Sequence, residues 1–174
     1  MTEGGKLMLG GIFAAALAAG GGYLVKDAMG TRADWAPERF ELWQGAALTV
    51  PAPAGLERQE LRGDQSEGVE VWGDSEPPFQ RVAWARGHEP SEFEDLLAKD
   101  LAKTGLPMSD AEHLQVAGNP ARHRVIDLLN LHMTTWRCEG SGRAMLLIVR
   151  AGPETDPGAV AAWNRRVLDG LRCD

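Results

Sequence analysis

The chain has 174 residues, 25 of them acidic and 18 basic, and a formal net charge of −7. The first 34 residues carry three charges of each sign, so residues 35–174 hold the whole acidic excess. This balance sets nucleic acid aside as a partner and gives the chain no attraction to anionic lipid through charge alone. All six tryptophans also fall in residues 35–174, and 140 residues make one domain with enough aromatic mass for a core.

After a short tail at residues 1–6, residues 7–25 (LMLGGIFAAALAAGGGYLV) contain no charge and no proline and lie between Lys6 and Lys26. As a helix they span about 28 Å, close to the hydrocarbon thickness of a bilayer. A transmembrane helix or signal anchor is the first expectation. Small residues recur at Gly10, Ala14, Ala18 and Gly22. Such a row lets two helices approach closely and would serve helix–helix packing, with a homodimer as one outcome. The plainer reading is that alanine and glycine are frequent in membrane spans. A cleaved signal peptide competes, with Lys6 as its basic end and Ala16-Leu17-Ala18 as a small-x-small cleavage site. Against it, Glu3 offsets the lysine and apolar sequence runs on to Val25. No cysteine follows the run, so lipoprotein attachment there is excluded. Lys6 on one side and Lys26 with Arg32 on the other leave orientation undecided by charge.

Residues 26–46 read as a linker. Within it, residues 35–44 (WAPERFELWQ) predict a short amphipathic helix with Phe40 and Trp43 on one face. An aromatic foot at headgroup level is the alternative. The globular domain is expected over residues 47–174. It opens with a strand at 47–50, halted by Pro51 and Pro53, and a second at 56–61. Residues 69–72 alternate as a strand, and 79–85 form another with Val82 and Trp84 on one face. Asp64, Glu67, Glu70, Asp74 and Glu76 make an acidic run whose plain reading is a solvated edge and whose sharper one is a cation or basic-partner site.

Residues 91–105 predict the clearest helix. Ser91 and Glu94 have capping-box spacing, Phe93, Leu96, Leu97 and Leu101 make the buried stripe, and Gly105 with Pro107 stops it. Strands follow at 114–116, 121–129, 131–138 and 144–150, with turns at Ala117-Gly118-Asn119-Pro120 and Glu139-Gly140-Ser141-Gly142. The unbroken apolar run 145–149 marks a strand covered on both faces. A last helix opens at Asp156-Pro157 and carries Val160, Trp163, Val167 and Leu171 on one stripe. Runs of strands with isolated helices define an α+β class: an antiparallel β-sheet packed by two main helices, preceded by one N-terminal transmembrane helix.

This order of features resembles the PsbP-like superfamily, which includes the Ran-binding Mog-type proteins and bacterial exported domains. The resemblance rests on Leu48-Thr49-Val50-Pro51-Ala52-Pro53-Ala54-Gly55-Leu56, the helix at 91–105, the hairpin around Val116-Ala117-Gly118-Asn119-Pro120-Ala121 and the closing helix. It covers about 120 residues by fold pattern. It implies helices on both sides of an antiparallel sheet and a binding or assembly role, and it transfers no site residue. The N-terminal span departs from the soluble members.

Cys138 and Cys173 are the two cysteines, one ending a strand and the other following the last helix. In an exported domain they predict a disulfide; two reduced core cysteines are the alternative, and no CxxC spacing points to redox or zinc chemistry. Of the four histidines, His113, His123 and His132 fall on neighbouring predicted strands with Asp127 between the last two. No HxH, HxxxH or HExxH spacing supports a metal site, so surface histidines are expected. His88 stands apart. Ser141 lies in a turn without the GxSxG context of a nucleophile. No catalytic residue, cofactor or metal set is therefore expected. The expectation is a non-enzymatic binding or assembly module on the extracytoplasmic side of a bacterial inner membrane, with an unidentified protein or envelope-component partner. Fourteen arginines against four lysines carry the bacterial association. An apolar-ligand (lipid) carrier, with a pocket lined by Trp84, Trp136 and Trp163, is the alternative.

Overall fold

The computed structural model describes residues 37, 39–53, 55–60, 68–73 and 78–174. Among these residues no helix is long and apolar enough to cross a membrane. The span expected at 7–25, with Gly10, Ala14, Ala18 and Gly22, lies outside them. So do Asp64, Glu67, Asp74 and Glu76 of the acidic run.

The domain is α+β with two helices and two antiparallel sheets. The large sheet has six strands in the order β3-β4-β8-β7-β6-β5. They are β3 (Val69–Gly73), β4 (Phe79–Ala85), β5 (Glu112–Val116), β6 (Asn119–Ile126), β7 (Leu131–Cys138) and β8 (Arg143–Arg150). The small sheet, in the order β1-β2-β9, uses β1 (Glu41–Gln44), β2 (Leu48–Ala52) and β9 (Arg172–Cys173). Helix α1 spans Pro90–Thr104 and α2 spans Pro157–Gly170.

Alternation along the strands divides the core into two layers. Ala83, Met133, Leu146 and Ile148 face α1, which inserts Phe93, Leu97 and Leu101. Val82, Trp84, Trp136, Met145, Leu147 and Val149 face the opposite layer, built from Val160, Trp163 and Val167 of α2 and Leu48, Val50 and Ala52 of β2. The 145–149 run thus supplies both layers, as its lack of polar alternation predicts. A buried polar chain ties the second layer together: Trp163 Nε1 donates to Gln80 Oε1 at 3.2 Å, and Gln80 Nε2 donates to the Pro51 carbonyl at 2.7 Å.

Several expected elements differ. Residues 41–44 form β1, paired with β2 from Glu41↔Ala52 to Gln44↔Thr49, in place of the expected amphipathic helix. Pairing with β2 satisfies the backbone and lays Trp43 against Trp72 at a centroid distance of 5.2 Å. Phe40 instead carries the Arg166 guanidinium 4.3 Å above its ring. Strand β2 runs through Pro51 to Ala52; β9 reaches only Leu48 and Thr49, so Pro51 stands where β2 has one partner strand. Of the strand expected at 56–61, the described residues 56–60 make one bridge, Arg58↔Trp72. The α1 cap lies at Glu89, whose N–H donates to the Glu92 carboxylate at 3.0 Å, with Pro90 in the first turn. The box expected from Ser91 and Glu94 does not form, because Glu94 turns inward.

Glu94 is 4% exposed and sits against the sheet. Its carboxylate accepts from Arg124 Nε at 2.8 Å and Thr135 Oγ1 at 2.9 Å, and Arg122 lies 3.2 Å away. Removing one member of a buried ionic cluster strands the others. Glu94→Ala should therefore cost roughly 3 kcal/mol, read as a lower urea midpoint at unchanged m. A loss near zero would mean that α1 docks without this carboxylate.

Cys138 and Cys173 form a disulfide across a separation of 35 residues, with Cα atoms 5.7 Å apart. It joins β7 of the large sheet to β9 of the small one. Asn119 lies beside it, its Nδ2 donating to the Ala117 carbonyl at 3.0 Å and its Oδ1 accepting from Glu139 N–H at 3.1 Å. Closing a loop of this size should contribute roughly 3–4 kcal/mol in the chain-entropy model. The Cys138→Ala/Cys173→Ala protein should lose about that amount in urea melts while keeping its far-UV spectrum.

Candidate functional site

The β5–β6 hairpin turns through Ala117 and Gly118, both at positive φ (49° and 80°), the conformation of a tight primed turn. Strand β6 then pairs with β7 in the register His123↔Thr134 and Val125↔His132. These partners share the sheet face opposite α1, so His123 and His132 become diagonal neighbours. The connection between the strands is a 3-10 turn, Asp127–Leu129, ended by Asn130 in the left-handed region. Asparagine tolerates that conformation. Its Nδ2 donates to the carbonyls of Gly152 and Thr155, which anchors the loop leading into α2.

The two imidazoles are 7% exposed and stacked, with centroids 5.3 Å apart and ring planes 24° apart. His132 Nδ1 lies 3.2 Å from His123 Nε2, and His123 Nδ1 lies 2.9 Å from Thr134 Oγ1. The 3.2 Å contact needs one N–H and one lone pair, so the pair cannot hold two protons there. They line a groove of about 440 Å³ between the β5–β6–β7 end of the sheet and α2. Leu114 and Val125 form its floor with the histidines; Asn164, Arg165 and Asp169 of α2 form the far wall, and Glu112 stands at the β5 edge. Asn164 is 5% exposed, and its Oδ1 has no hydrogen-bond partner among the described residues.

Burial and the second imidazole beside it push the His132 pKa down to about 4, against an opposing pull from Asp127. Burial also lowers the His123 pKa, opposed by Glu112 and the Met133 backbone. Both rings are thus neutral around pH 7.

The expectation of surface histidines is corrected for this pair and holds for His113, which is exposed on β5. His88 pairs with Glu92 at 2.8 Å at the start of α1. Asp127 is exposed on the 3-10 turn, and no three His, Cys, Asp or Glu side chains among the described residues are grouped to hold a metal. Ser141 is an exposed turn residue. Trp84, Trp136 and Trp163, the expected lining of an apolar cavity, are 1–3% exposed core residues. Sequence reading missed Thr134 and Asn164, and the one signal for the histidine pair was the hairpin register.

No protein-family model and no curated protein matches the chain.

Because the unfolded chain binds a proton at His132 near the ordinary value of 6.5, acid favours unfolding. The contribution of a neutral His132 is complete above about pH 6.5 and erodes as pH falls toward 4, by up to roughly 3 kcal/mol. Urea melts between pH 7 and 4 should show this slope, and His132→Gln should flatten it. An unchanged slope in the variant would place the acid sensitivity elsewhere.

Proposed function

We propose that the chain is a single-pass protein of a bacterial cell envelope whose α+β domain faces the extracytoplasmic side as a non-enzymatic binding or assembly module. The observation that carries this reading is the Cys138–Cys173 disulfide, since such bonds persist in oxidising compartments and are rare in the cytosol. The uncharged run at 7–25 has the length of a membrane span and supplies the tether. The resemblance to the PsbP-like superfamily supports the same role, as does a sheet flanked by a helix on either side. The groove beside His123 and His132 is the concave surface that an envelope component or protein would meet. The row of small residues at Gly10, Ala14, Ala18 and Gly22 would pair two tethers.

Topology tests the reading directly. A C-terminal fusion to a reporter that matures only outside the cytoplasm should be active, and a cytosolic reporter should be silent. In intact cells, an impermeant maleimide should label Cys138 and Cys173 only after reduction and denaturation. Free thiols together with an active cytosolic reporter would reverse the assignment.

A further inference from the structure

We propose that His123 and His132 chelate a divalent transition-metal ion of the zinc class in the groove between α2 and the β5–β7 end of the sheet. The first argument is distance. Two imidazole nitrogens on one tetrahedral ion, each at 2.0–2.1 Å, stand about 3.3 Å apart. His132 Nδ1 and His123 Nε2 are 3.2 Å apart. At this spacing the nitrogens need no wider separation to admit an ion between them.

The second argument is what holds the rings. A histidine that binds metal through one nitrogen donates from the other to a fixed oxygen. His123 Nδ1 has Thr134 Oγ1 at 2.9 Å, directly across the strand pair. With Nδ1–H donating there, Nε2 presents its lone pair to the ion. His132 takes the Nε2–H tautomer and presents Nδ1. The exchange shifts one proton between ring nitrogens and releases none.

The third argument is independent of the histidines. Asn164 lines the same groove, and its buried carboxamide oxygen has no hydrogen-bond partner among the described residues. A two-histidine chelate leaves further positions for oxygen donors, of which this carboxamide and water are the candidates in the groove. The coordination positions not taken by protein open into the groove, where a carboxylate of an incoming partner can occupy one. The inference concerns the groove itself and stands whichever side of the membrane the domain faces.

The test uses the full chain, purified without a histidine tag in detergent, and titrated with Zn2+ by calorimetry. One equivalent should bind. His123→Gln and His132→Gln should each weaken binding roughly tenfold or more, and Thr134→Val should do so through the ring it holds. His88→Gln and His113→Gln should bind as the parent does. Co2+ should give the intense visible absorption of a tetrahedral site. Because a groove variant can lose its fold, the parent protein is also read by NMR of its imidazole resonances. Zn2+ should move those of His123 and His132 and leave those of His88 and His113 in place. The proposal fails if the parent binds no Zn2+, if the His88 or His113 signals respond in place of the pair, or if both groove variants fold and keep full affinity.

Discussion

Three adjacent strands in the middle of the large sheet, β4, β8 and β7, carry apolar side chains on both faces, and water must be kept from each. Every other element answers to that constraint. On one face α1 suffices, its Phe93, Leu97 and Leu101 lying over Met133, Leu146 and Ile148. On the other face, α2 shares the work with β2, and the two rest on a common layer around Trp84, Trp136 and Trp163. Burial of this kind is the main favourable term in folding. The small sheet is therefore a lid on the second layer, and the buried chain Trp163–Gln80–Pro51 satisfies the Trp163 indole N–H and the Gln80 carboxamide beneath it.

The candidate site lies where that covering changes character. Toward β6 and β5 the wall of α2 turns from Val160, Trp163 and Val167 to Asn164, Arg165 and Asp169, and the sheet answers with histidine and threonine. Leu114, Val125, Ala161 and Leu168 line the gap without closing it, and a groove of mixed polarity results. Two neutral imidazoles at its base are costly to protonate and ready to accept. The opposite face has its own buried charge at Glu94, but there three donors meet the carboxylate.

Much of this fold was legible in the amino-acid order, for reasons that can be named. The 3.6-residue stripes on the two helices, the seven-residue β4 and the hairpin at Ala117-Gly118 depend on local patterning. So does the Asp156 cap, whose carboxylate accepts from Ala159 N–H at 3.0 Å. Elements decided by distant partners were misread. Residues 41–44 are extended because β2 pairs with them, while their spacing alone suits a helix. Glu94 has the right offset for a capping box, yet Arg122, Arg124 and Thr135, all far along the chain, draw it inward. The histidine pair was illegible for the same reason. His123 and His132 are nine positions apart, a spacing with no meaning on one helix or strand, and only the register of a hairpin makes them neighbours.

Both described ends of the chain enter the small sheet, β1 and β9 flanking β2 on either side. They are not equally fastened. β1 is held by strand pairing and by the rings of Trp43 and Phe40, whereas β9 is riveted to the large sheet by sulfur. A mechanical load arriving through the amino-terminal segment would peel β1 from β2 first, one backbone pair at a time. The covalent crosslink would stay out of the path of that force, which would reach the second layer first through Trp43 where it rests on Trp72 and Trp84.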